Sequence, residues 1–146
     1  MKKILLEIAS ALAATSLMFA AAGCSTARTK PPAITPGELA DTLWKPSGSP
    51  PAAYVEFTAD NRVLGCAGTN RYFGPVTYAP GKRVNLGPLA TTRAKSPYEK
   101  YERSFFSAME ETRGYVLEED KLTLYNEERQ PVLELRPVRL PGKERR

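Results

Sequence analysis

The 146 residues contain no histidine. That absence removes the general base of Ser-His-Asp and Cys-His nucleophilic sites, and with it the commonest zinc ligand. Cysteine is scarce, with Cys24 and Cys66 alone, so a scaffold of several disulfides is excluded. The phosphate-loop pattern G-x-x-x-x-G-K-[ST] is missing. Carboxylates fall in adjacent pairs, Glu110 with Glu111 and Glu118 with Glu119. Neighbours on a helix or strand diverge in direction, so these pairs read as solvated faces rather than an acid and base across a cleft. These gaps argue against an enzyme and lead us to expect neither metal nor cofactor.

What is present begins with an address. Lys2 and Lys3 precede the apolar stretch "ILLEIASALAATSLMFA", broken only by Glu7. Small residues Ala21, Ala22 and Gly23 stand directly before Cys24. This is the layout of a bacterial export signal over residues 1–23. The stretch after Glu7 is short for a spanning helix of about 20 residues. The small residues and the cysteine resemble a lipobox, which implies cleavage by signal peptidase II, a lipid on Cys24 and attachment to a membrane. Ala21 stands where lipoproteins more often carry Leu. Ser25 rather than Asp follows the cysteine, which by resemblance to enterobacterial sorting implies the outer membrane, facing the periplasm.

Cleavage removes 23 of 146 residues and leaves 123, enough for one domain with a core. It lowers the formal charge from +5 to +4. The remaining excess gathers partly in "RPVRLPGKERR", and residues 138–146 read as a solvated basic tail. Nucleic acid is a poor partner for an exported chain, and a monomer is expected. With Cys24 lipidated, Cys66 stands alone and is expected to be a small buried residue.

Residues 24–41 are rich in Pro, Ser and Thr and lack apolar periodicity, as a flexible tether does. The folded domain is expected over residues 42–137, opening at Leu43 and Trp44. Val55 and Phe57 alternate with Glu56 and Thr58, and "ADN" turns the chain into "RVLG". Val76 and Tyr78 approach Pro80–Gly81, a pair suited to a type II turn, and Val84 and Leu86 return. "YVL", "KLTLY" and "VLELR" add three more runs. Such alternation is what an antiparallel sheet with one wet face requires. One segment differs: Tyr98, Tyr101, Phe105, Ala108 and Met109 recur at helical spacing, with Glu99 and Arg103 one turn apart. Ser96 is the expected N-cap, Pro97 the first helical residue and Gly114 the stop. The fold class is mainly β within α+β, a strongly curved antiparallel sheet with one helix packed on it.

Between Gly65 and Tyr78 the chain reads "GCAGTNRYFGPVTY". Gly65, Gly68 and Gly74 allow positive φ or close strand approach, as bulges and bends need. Asn70 can bond its own backbone, and Arg71 is either a buried fork tying loops or an exposed anion contact. Tyr72 and Phe73 must point to opposite faces of a strand, so one is core and one is exposed. The stretch reads as fold-determining rather than catalytic.

"GCAGTNRYFG", then "LGPLATTRA", the helix "YEKYERSFFSAM" and the closing "YVLEEDKLTLYNEERQPVLEL" together resemble the META domain of HslJ-like heat-shock lipoproteins. Trp44, Gly65, Gly68, Asn70, Arg71, Tyr72, Gly74, Thr91, Thr92, Arg93, Glu102, Phe105, Leu122 and Leu124 match its pattern over about residues 40–136. The resemblance implies a partly open, barrel-like sheet and an envelope protein associated with heat shock and antibiotic (novobiocin) resistance. Where many members carry a pair of cysteines, this chain has Thr69 and Ser96, which implies that these two residues are neighbours. The expected function is a non-enzymatic outer-membrane lipoprotein supporting envelope integrity, stress or antibiotic tolerance. Two alternatives stand beside it: a pilotin-like module binding lipid or apolar peptide, and an interaction or inhibitor module displaying Tyr72 or Tyr125.

Overall fold

A computed structural model describes residues 37–138. The export signal 1–23, the anchor Cys24, most of the tether and nearly all of the basic tail lie outside the described residues.

Among the described residues nine strands and one helix follow in chain order: β1 (Thr42–Pro46), β2 (Tyr54–Phe57), β3 (Arg62–Cys66), β4 (Arg71–Ala79), β5 (Arg83–Leu86), β6 (Ala90–Thr91), α1 (Glu99–Glu111), β7 (Gly114–Leu117), β8 (Leu122–Tyr125) and β9 (Pro131–Pro137). All pairings are antiparallel. The order β3-β2-β1-β9-β8-β7-β5-β4 closes on itself through β3–β4, making a ring. Strand β6 pairs with β4 beside that ring, opposite β3, because Tyr72 faces Gly65 on one edge and Thr91 on the other. Closure removes the exposed edges that an open sheet would present.

The alternation expected from sequence sets which residues turn inward. Trp44, Val55, Gly65 and Tyr72 stand opposite one another across β1 to β4, and all are buried. A second row carries Phe57, Val63 and Gly74. Leu122 faces Leu135 between β8 and β9, both fully buried. Thr123 departs from the polar-out pattern, being only 4% exposed. The Pro80–Gly81 turn forms as expected, with Gly81 at φ +80°.

Helix α1 packs against β5 and β9, turning Glu102, Phe105 and Met109 inward. The Phe105 ring lies 5.4 Å from that of Tyr72 and 6.1 Å from that of Tyr101. Its ends differ from expectation. The helix starts at Glu99 rather than Pro97, and Ser96 instead accepts the Tyr98 N–H at 3.0 Å in the turn before it. It stops where Thr112 takes extended backbone, and Gly114 opens β7. Tyr98, expected in the apolar stripe, is 39% exposed; it stands one residue before the helix, with its side chain beside Gly68. The exposed Glu99–Arg103 pair forms at 2.9 Å, one turn apart as expected.

The segment 37–41, read from sequence as the end of the tether, is packed onto the barrel. Leu39 is fully buried in the core. Gly37 N–H donates to Asn61 Oδ1 at 3.0 Å, and Glu38 accepts from Lys82 Nζ and from the Tyr115 hydroxyl. Proline-rich composition masked this, since a single leucine gives no periodicity to read.

Candidate functional site

Strand β4 divides the conspicuous stretch into two faces. Tyr72, Gly74 and Val76 turn inward, while Arg71, Phe73, Pro75 and Thr77 turn outward. The open question of the aromatic pair is thereby answered: Tyr72 is 2% exposed and Phe73 51%. Display of Tyr72, one of the two candidates for an exposed aromatic anchor, is therefore corrected, because its ring fills the barrel. Its hydroxyl crosses over Gly65 and donates to the Tyr54 carbonyl at 3.0 Å, and burial pushes the phenol well above its ordinary pKa. Gly65 makes this crossing possible: a Cβ there would stand 2.1 Å from the Tyr54 carbonyl oxygen and 2.7 Å from the Tyr72 hydroxyl. Gly65, Gly68 and Gly74 all serve close approach, none having positive φ.

The loop before β4 is held by a buried carboxylate. Glu102, 3% exposed, accepts the N–H groups of Thr69 at 2.7 Å and Asn70 at 2.8 Å on Oε1. Its Oε2 accepts the Asn70 side-chain amide at 2.8 Å. The Asn70 amide also donates to the Ala94 carbonyl at 3.1 Å. Asn70 Oδ1 accepts from Ala94 N–H at 2.7 Å and from the Thr92 hydroxyl at 3.0 Å. All four hydrogen-bonding positions of the Asn70 side chain are thus filled. Thr92 Oγ1 in turn accepts the Arg71 N–H at 3.0 Å. Burial pushes the Glu102 carboxyl up, but the donors from Asn70, Thr69 and Ser96 outweigh it and hold its pKa below the ordinary range.

This network binds the loop, the segment after β6 and the helix into one unit. Its chemistry is structural, because three donors of the same chain already converge on the carboxylate and the Asn70 side chain is fully engaged. Glu102 was legible only as part of the family pattern. Its spacing, three before Phe105 and seven before Met109, puts it on the buried face and was the available signal.

Thr69 and Ser96 meet as expected, their hydroxyls 3.1 Å apart. The pair Thr69→Cys with Ser96→Cys is expected to oxidise spontaneously and to stabilise the domain by roughly 2–4 kcal/mol, less any strain in the bridge. Non-reducing electrophoresis and thermal melts with and without reductant would show it.

The outward residues assemble a different feature. Leu64 stands opposite Phe73 in β3–β4, and Phe73 opposite Ala90 in β4–β6, giving an apolar row on a face that should be wet. A groove of about 490 Å³ opens over this row. Tyr54 and Thr92 line its sides, with Arg62 and Arg71 at its margins. The Arg62 guanidinium sits 5.4 Å from the Phe73 ring centroid, within cation–π range. Arg71, left open as fork or anion contact, is exposed, and so are Thr91, Thr92 and Arg93. Among the described residues no carboxylate lines the groove. Sequence reading missed the row because Leu64 and Phe73 lie on separate strands and become neighbours only through register.

A second groove of about 790 Å³ lies where β5 meets β7 through the single pair Arg83–Gly114. Its cations are partly engaged: Lys82 pairs with Glu38, and Arg113 donates to the carbonyls of Glu110 and Thr112. Burial and its bond to Glu38 raise the Tyr115 phenol's pKa, while the bonds from Lys82 and Tyr115 lower that of Glu38. Tyr125, the other expected anchor, lines this groove half-buried. Among the described residues no three His, Cys, Asp or Glu side chains are grouped to hold a metal, and no helix is long and apolar enough to cross a membrane.

The META domain model matches residues 32–138, nearly three-quarters of the sequence. The chain belongs to the META domain family. Its META domain includes the docked segment around Leu39, ahead of the boundary expected at residue 42. Among solved structures, it is similar to a protein from Burkholderia xenovorans determined by NMR, at 20% identity and TM-score 0.56. That match covers 70% of this chain and 85% of the other. A DUF4847 family protein from Bacteroides vulgatus ATCC 8482 aligns at 19% identity and TM-score 0.48, over 58% of each chain. No curated protein matches the sequence. At that identity the Burkholderia structure speaks for the fold alone.

Proposed function

We propose that this chain is a non-enzymatic, lipid-anchored META protein of the bacterial envelope that works by holding a protein partner in the groove over Phe73. Its task is to support envelope integrity and tolerance of stress or antibiotics from the periplasmic face of the outer membrane. The observation that carries the binding half is the outward row Leu64–Phe73–Ala90 between two arginines. A half-exposed phenylalanine in a groove is the kind of aromatic anchor on which protein interfaces concentrate their energy. The alternative, an acyl chain held inside the barrel, is less well supported. Trp44, Phe57, Tyr72, Phe105, Met109 and Leu122 fill the interior, each at most 2% exposed. The anchoring half rests on the sequence before Cys24.

Complementation of a deletion strain challenged with novobiocin or detergent separates the parts. Cys24→Ser is expected to leave the protein unlabelled by palmitate, outside the detergent phase and unable to complement. Phe73→Ala is expected to be labelled and sorted normally yet to complement poorly. Palmitate on the Cys24→Ser protein would overturn the anchor, and full complementation by Phe73→Ala would overturn the groove.

A further inference from the structure

Among the described residues every strand of the ring has a partner on both edges, and β6 alone has one. Antiparallel pairing decides which way its main-chain groups point. Thr92 N–H donates to the Arg71 carbonyl at 3.0 Å, and Thr91 stands opposite Tyr72. The N–H and C=O of Thr91 therefore face away from β4. Ala94 is tied back by both its N–H and its carbonyl to Asn70, so Arg93 also faces away. No hydrogen bond to the main chain of Thr91 or Arg93 forms across that open side among the described residues. Residues 90–95 are all exposed. Two outward-facing residues at a spacing of two are what an added strand needs.

The open edge adjoins the groove, since Ala90, Thr91 and Thr92 form its near wall. The charges around it favour one kind of occupant. Arg71, Arg93 and Lys95 flank the edge, and Arg71 and Arg93 make no ion pair among the described residues. A second copy docking β6 against β6 would bring the same cations together, which penalises self-pairing.

We propose that the β6 edge takes an added strand from a partner protein. The strand is a short extended segment with an apolar side chain beside Ala90 and Phe73 and a carboxylate two residues along, beside Thr92 and Arg71. The spacing follows from register: Phe73 lies across from Ala90, and Arg71 is the next outward residue of β4. Main-chain bonds to Thr91 and Arg93 supply the pairing, and the groove supplies the side-chain selection. The inference rests on the reading that the groove holds a protein partner.

The test uses the detergent-solubilised full chain and a fluorescent, capped eight-residue peptide carrying Phe and Glu two positions apart in a Ser/Thr background. Binding by anisotropy is expected, together with slowed hydrogen exchange at the Thr91 and Arg93 amides. Replacing the peptide's Glu by Lys, or N-methylating alternate backbone nitrogens on its pairing edge, is expected to weaken binding about tenfold or more. Thr91→Pro is expected to do the same with an unchanged melt, and the N-methylated peptide gives the same answer if that variant misfolds. If N-methylation and Thr91→Pro leave binding intact while Phe73→Ala abolishes it, strand addition is wrong and the groove reading stands. If no peptide of the set binds, the proposal fails, and the Phe73→Ala complementation result judges the groove separately. A dimer with Thr91 and Arg93 protected in the absence of peptide would also overturn it.

Discussion

Replacing Glu102 by alanine is expected to destabilise the domain by roughly 3 kcal/mol, because three donors lose their acceptor at once. The Thr69 N–H, the Asn70 N–H and the Asn70 amide all converge on that carboxylate. Buried donors left unpaired cost about 1–3 kcal/mol each, and the total stays below the sum because Thr69 is exposed and water can reach its N–H. Glu102→Gln keeps the volume but turns a donor toward donors, so a loss of similar direction and smaller size is expected. The dependence on pH has a definite sign. The folded-state pKa of Glu102 lies below its ordinary value of 4.5. Its contribution is therefore fully present above that value and is lost as pH falls through the folded pKa. Urea denaturation over a series from pH 7 into acid should show wild type converging toward Glu102→Gln once Glu102 is protonated. Glu38 shifts the same way, so the comparison belongs in the difference between the two proteins.

Gly65→Ala is expected to be comparably damaging, about 3 kcal/mol, although it adds one methyl group. The new Cβ meets the backbone carbonyl of Tyr54 at 2.1 Å, and a strand cannot step aside as a side chain can. Moving β2 would also detach the Tyr72 hydroxyl from that carbonyl. Gly74→Ala should cost less, since one of its two 2.8 Å neighbours is the end of the Leu89 side chain. Gly68→Ala should cost least, because its nearest neighbours, Tyr98 at 3.1 and 3.2 Å and Glu102 Oε1 at 3.3 Å, are side-chain atoms that need give by only a few tenths of an ångström. Equilibrium unfolding of the three variants gives this order directly.

Much of the strand plan was legible because alternation is a local signal. Val55 with Phe57 and Val84 with Leu86 turned inward as their spacing required. Helix α1 was legible from its stripe, but its ends were not. Ser96 offers a cap, yet its hydroxyl serves Thr69 and the turn at Tyr98, so the helix begins only at Glu99. The importance of Asn70 was legible, whereas its partners at Glu102, Thr92 and Ala94 lie more than twenty residues away. The groove is the least legible part. Leu64, Phe73 and Ala90 each look like ordinary strand residues until register sets them in one row. The family pattern named Arg71 and Tyr72 together, but only the pleat shows that one faces solvent and the other the core.

The central claim is that β3 and β4 separate two duties, inward residues holding the barrel and outward residues meeting a partner. Thermal melting of the full chain carrying Gly65→Ala or Phe73→Ala tests it most directly. Gly65→Ala is expected to melt about 12 °C or more below wild type, and Phe73→Ala within about 2 °C of it. Phe73→Ala melting as low as Gly65→Ala, or Gly65→Ala melting like wild type, would contradict the division.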